Sequence, residues 1–139
     1  MTKHSSVIGT IILLAAISTQ ASADSLLQSI QQDYRDRLGD MFKDFHANPE
    51  LSTAEHRTAK KLADALESTG FKVTEGVGGT GVVAVLKNGT GPLVMMRGDM
   101  DGLPLKEKSG LAYASTVTQK DPISGKVAPV MHACGHDVH

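Results

Sequence analysis

The amino-acid sequence predicts an α/β domain. Three observations point there: two helical stretches come first, short β-rich runs follow, and a His/Cys-rich loop closes the chain. From Ser25 to Phe45 apolar residues fall at Leu26, Leu27, Ile30, Tyr34, Leu38, Met41, Phe42 and Phe45, steps of three and four that mark one helical face. Asn48-Pro49 ends that helix. Ser52-Thr53-Ala54-Glu55 has the form of a capping box, and Ala59, Leu62, Ala63 and Leu66 line the face of a second helix that Gly70 is placed to stop. Beyond Gly70 the period changes. Phe71-Lys72-Val73-Thr74 alternates like a strand, while Val82 to Leu86 and Leu93 to Met96 are nearly continuous apolar runs separated by an Asn88–Gly91 turn. Runs without alternation are expected to be buried on both faces, which predicts a central sheet covered by helices. Two helices and about three strands would leave that sheet with open edges, so the chain reads as part of a larger domain. Gly135-His136-Asp137 reads as a loop entering a helix, with Asp137 as its cap.

The first residues are expected to lie outside the fold. Lys3 and His4 form a short basic start, Val7 to Ile17 is apolar, and Ala21-Ser22-Ala23 is a small-x-small end. That is the layout of a secretory signal peptide, cleaved between Ala23 and Asp24. The apolar run, about eleven residues, is short of the roughly 20 needed to span a bilayer. Residues 1–23 are therefore read as a signal and residues 24–139 as the domain portion, exported to the periplasm or beyond. A net charge of −1 without a basic block speaks against nucleic acid or an anionic membrane as partner.

One cysteine cannot form an internal disulfide, and a free thiol in an oxidising compartment needs burial, a partner chain or a metal. Cys134 lies within His132-Ala133-Cys134-Gly135-His136-Asp137-Val138-His139, so metal is the favoured reading. In extended chain His132, Cys134 and His136 would alternate and face one point. Arg97-Gly98-Asp99-Met100-Asp101-Gly102-Leu103-Pro104 follows the Leu93–Met96 run, where α/β sheets gather their sites. Asp99 and Asp101 could serve such a site, with Asp137, by orienting ligands from behind; alone, they would read as a turn capping backbone amides. Gly76-Val77-Gly78-Gly79-Thr80-Gly81 matches a dinucleotide fingerprint in letters only, because a strand and not a helix follows it. His46 and His56, at a helix end and on a helical face, read as ordinary surface histidines.

Four ordered blocks carry a resemblance: His46-Ala47-Asn48-Pro49-Glu50-Leu51-Ser52, Gly78-Gly79-Thr80-Gly81-Val82-Val83, Arg97 to Pro104, and Met131 to His139. Together they resemble the front of a metal-dependent amidohydrolase, from the branch with hippurate hydrolase, N-acyl-amino-acid deacylases and auxin-conjugate hydrolases. The resemblance implies a zinc-exopeptidase-like α/β catalytic domain, interrupted in full-length relatives by a smaller domain for dimerisation or lid closure. It implies a centre of two divalent ions, zinc, manganese or cobalt, that hydrolyses the amide bond of small N-acyl amino acids or short peptides. By this resemblance Cys134 and His136 are metal ligands and Asp101 supports a ligand. The wider superfamily has a ligand histidine where Asp99 stands, which leaves the role of Asp99 open. The general-base glutamate of relatives belongs to a Glu-Glu pair, and none of Glu50, Glu55, Glu67, Glu75 or Glu107 matches it. Residues 24–139 alone are accordingly expected to be catalytically silent and poorly folded.

Two other readings stay open from sequence. Cys134 could be the nucleophile of a cysteine hydrolase with a nearby histidine as base. The chain could also be a non-catalytic metal-binding remnant. Chelator sensitivity separates the first from a metalloenzyme, and the downstream coding sequence separates the second.

Overall fold

The structure is a computed structural model that describes residues 23–139. The signal-peptide reading of residues 1–23 falls almost wholly outside the described residues. The chain divides into two compact units between Asp40 and Met41.

In the first unit, residues 23–33 are helical (α1) and run into one π turn, Tyr34–Leu38, before α2, Gly39–Ala47, begins. The helical period read from the sequence holds, but the helix is not uniform. The Gly39 N–H donates to the Tyr34 carbonyl, and a β-carbon at Gly39 would lie 2.9 Å from that oxygen. Glycine therefore lets the turn widen without a collision. Leu26, Leu27, Ile30 and Tyr34 are more than half exposed.

The second unit is held together around Phe45, Pro49, Leu51, Ala59, Ala63 and Val130, all buried. Asn48 closes α2 by donating its backbone and side-chain N–H groups to the Asp44 carbonyl, at 3.1 and 2.8 Å. Helix α3 spans His56–Ser68, later than the capping box would place it. Neither Ser52 nor Glu55 caps it. The Glu50 carboxylate does, accepting from the Arg57 N–H at 3.1 Å and the Thr58 N–H at 2.7 Å. A carboxylate here meets the unpaired amides and the positive end of the helix dipole together. Glu55 instead accepts from the Thr80 hydroxyl at 2.6 Å. At the other end Gly70, with φ of 90°, closes α3 as expected, and its N–H donates to the Glu67 carbonyl.

Strands β1 (Lys72–Val77) and β2 (Gly81–Val85) pair antiparallel with Lys72 opposite Val85, and α3 packs on both. Gly78 and Gly79 turn between them with φ of 67° and 120°, which confirms the glycine run as a strand connection. Among the described residues the expected central sheet is not formed, and the strands make two separate pairs. Leu93, Val94, Met95 and Met96 are not a strand, and they are 80–94% exposed. Val83, Val85 and Leu86 are about half exposed rather than buried on both faces. A strand needs a neighbour for its N–H and C=O groups, and among the described residues no strand pairs with this run.

A second hairpin was not expected. Strands β3 (Thr118–Lys120) and β4 (Val127–Pro129) pair antiparallel, joined by a turn in which Asp121 accepts from the Ile123 N–H. Next to it two isolated bridges fix the segment that matters most. Leu51 pairs with Gly102, and Leu103 pairs with Met131. A β-carbon on Gly102 would lie 2.8 Å from Val130 Cγ1 and 2.9 Å from Pro49 Cβ. Only glycine lets three backbones meet there, and this brings Asp101 beside the terminal His/Cys loop.

Candidate metal centre

The loop after Val130 is not extended. It turns at Ala133–Cys134, Gly135 takes a left-handed φ of 76°, and His136–Val138 forms one 3₁₀ turn. His132, Cys134 and His136 consequently do not face one point, which corrects the alternation expected from sequence. His132 is buried, and Cys134 is an exposed free thiol.

Asp101 and His136 are brought together. The His136 Nδ1 lies 2.8 Å from Asp101 Oδ1 and 3.0 Å from the Asp101 carbonyl oxygen. A ring N–H donated from Nδ1 fixes the tautomer and leaves Nε2 as the lone-pair nitrogen, the arrangement metal-binding histidines use. Asp99 is not brought in; it pairs with Arg97 at the surface. Asp137 does not cap a helix. Its Oδ2 lies 2.7 Å from His46 Nδ1.

His46 is no ordinary surface residue. Its second nitrogen, Nε2, lies 2.9 Å from Glu107 Oε1, and its ring is packed edge-on against Tyr113, with Phe42 at 5.8 Å. Only 13% of the His46 side chain is exposed, against 1% for Glu107 and 5% for Asp137. Burial alone would lower the His46 pKa, but hydrogen bonds to Glu107 and Asp137 outweigh it and hold the pKa above the ordinary histidine value. Burial likewise pushes Glu107 up, yet hydrogen bonds from Ser109, His46 and the Ser115 N–H bring it below the usual carboxylate range. A carboxylate at each ring nitrogen favours the charged, doubly donating form of His46. His56 is exposed, as the sequence suggested.

No family model matches the chain. A probable hydrolase of Synechocystis is 41% identical over 115 residues, 81% of this chain and 27% of that protein. Hippurate hydrolase of Campylobacter jejuni is 46% identical over 95 residues, 68% of this chain and 22% of that enzyme. A solved dinuclear metal-binding peptidase of the M20 family from Bacillus subtilis matches with a TM-score of 0.64 at 35% identity, covering 78% of this chain and 28% of its own. The chain is a homologue of these amidohydrolases and metallopeptidases. It spans about a quarter of the length of the relatives it matches.

A cysteine and an imidazole held by a carboxylate are side chains of the kind a borderline metal takes. Among the described residues no three His, Cys, Asp or Glu side chains gather closely enough to hold an ion by themselves. Cys134 and His136 are of donor types that suit such an ion, and Asp101 holds the His136 ring. Neither ring nitrogen of the buried His132 has a side-chain or backbone partner, and burial lowers its pKa. The bonds of His46 run to carboxylates, and His136 Nδ1 is bound to Asp101.

A pH dependence follows from the His46 pair. The folded pKa lies above the unfolded value, so the stability it contributes is complete below pH ~6.5 and is lost as pH rises through the folded pKa. Urea midpoints of the whole protein that carries this chain and of its His46→Gln variant should converge as pH is raised above neutrality. A constant gap between them would contradict the charged form.

Proposed function

We propose that this chain contributes Cys134 and His136 as metal ligands, with Asp101 orienting His136, to an amidohydrolase that cleaves small N-acyl amino acids or short peptides. The observation that carries this reading is the 2.8 Å contact between His136 Nδ1 and Asp101, on a loop whose cysteine is exposed. When bound, two divalent ions of zinc, manganese or cobalt would supply Lewis acidity to the scissile carbonyl and to the attacking water. Asp101 holds the His136 ring in one tautomer, and Gly102 anchors Asp101 to the core. A general base is not assigned among these residues, because Glu107 is enclosed by His46, Ser109 and Ser115.

The test uses the whole protein that carries this chain, assayed on a panel of N-acyl amino acids. Activity should vanish with a chelator and return with zinc, manganese or cobalt. Chelator-resistant turnover with a covalent acyl group on Cys134 would establish the cysteine-hydrolase alternative instead. Residues 24–139 alone should give no turnover.

Export belongs to the same proposal and rests on the Lys3–Ala23 layout. The amino terminus of cell-envelope material should be Asp24. Mature protein that keeps Met1 in the cytoplasm would refute export. In full length a homodimer is the expected assembly, with the substrate as its small-molecule partner.

A further inference from the structure

We infer that His46 is a positioning residue, a clamp that joins the Glu107 loop to the His136–Val138 turn and so holds the turn in its ligating geometry. The inference rests on the metal reading of His136 but adds a residue that reading does not use. Three segments distant in sequence meet at one ring. Residue 46 comes from the end of α2, Glu107 from the loop after the Gly102 crossing, and Asp137 from the 3₁₀ turn.

Two anchors act on neighbouring residues of one short turn. Asp101 holds His136 from one side, and His46 holds Asp137 from the other. Inside the turn the Val138 N–H donates to the Gly135 carbonyl at 3.1 Å, and ahead of it the Gly135 N–H reaches the His132 carbonyl at 3.4 Å, local bonds that do not tie the turn to the rest of the fold. The clamp is also rigid. Glu107 is fixed by the Ser109 hydroxyl and the Ser115 N–H, and the His46 ring sits against Tyr113 and Phe42. The titratable groups around His46 are Glu107 and Asp137, which favour its cation, and Tyr113 against its ring, with His132 in the same neighbourhood. Glu107 is already committed, so a small movement of α2 would be passed directly to Asp137.

The experiment is amide exchange and cobalt(II) binding on the full chain and on Asp137→Asn, which keeps volume and leaves the His46–Glu107 pair. His46→Gln serves as the second variant, and the double variant closes the cycle. Exchange at Val138 in metal-free protein should quicken about tenfold in either single variant, the loss of one charge-assisted hydrogen bond. The double variant should be no faster than the singles. Exchange at Ala63, in the core of α3, reports global opening and should quicken less than exchange at Val138 in each variant. The ratio between variant and parent at Val138 should shrink as pH rises and His46 loses its proton. Cobalt(II) affinity should fall by about 10- to 100-fold, as when ligand-supporting contacts are removed. Unchanged Val138 exchange, or equal acceleration at Val138 and Ala63, would overturn the clamp. Absence of cobalt(II) binding by the parent chain would overturn the metal reading alone, since the exchange rates decide the clamp independently.

Discussion

Glu107→Ala is expected to lower the unfolding free energy by about 3 kcal/mol, because it removes one member of a buried ion pair and strands its partners. Glu107 is 1% exposed and meets His46, the Ser109 hydroxyl and the Ser115 N–H. Without it, two donors lose their acceptor and the His46 cation keeps only Asp137. Glu107→Gln retains an acceptor oxygen and the volume, so its loss should be smaller. Urea denaturation of the three proteins near neutral pH measures the order. Equal stability of the alanine variant and the parent would mean that the pair is not formed.

The second large effect is on metal binding. Asp101→Ala removes the group that fixes the His136 ring, and affinity should fall by about 10- to 100-fold, the usual cost of losing a carboxylate behind a histidine ligand. The Asp101 backbone carbonyl stays 3.0 Å from Nδ1 and preserves part of the orientation, which keeps the variant from complete loss. Competition with a chelator reads this directly. Asp99→Ala, at a surface ion pair with Arg97, should leave affinity unchanged. If Asp99 rather than Asp101 controlled affinity, the support role would have to be exchanged between them.

The two helices could be read from sequence because period and stop signals are local, as at Asn48-Pro49 and Gly70. The β1–β2 turn was readable for the same reason, since Gly78 and Gly79 take φ values that other residues avoid. The start of α3 was misplaced because its cap is Glu50, six residues before His56, rather than a residue of the expected box. Leu93–Met96 has strand composition but no strand partner among the described residues, and composition cannot supply one. The β3–β4 hairpin was missed because Thr118-Gln119-Lys120 is short and polar, with only Asp121 to hint at a turn.

At the site, Asp101 was assigned a supporting role through resemblance, and the structure brings it to His136, 35 residues away in sequence. His46 was lost to a local reading. Its partners lie 61 and 91 residues further on, and nothing in its immediate neighbours signals two carboxylates. The alternation of His132, Cys134 and His136 misled for a similar reason: it presumes extended chain, whereas Gly135 turns the backbone into the 3₁₀ segment.

The metal reading stands on Cys134 and His136 as ligands. Cobalt(II) titration of the full chain, followed in the near ultraviolet, tests it most directly, because a thiolate ligand gives a sulfur-to-cobalt charge-transfer band. The account predicts that band in the parent chain, its loss in Cys134→Ser, and its weakening in His136→Ala at the same cobalt concentration. A band that survives Cys134→Ser, or parent protein that binds cobalt without any such band, would contradict the assignment of Cys134 as a ligand.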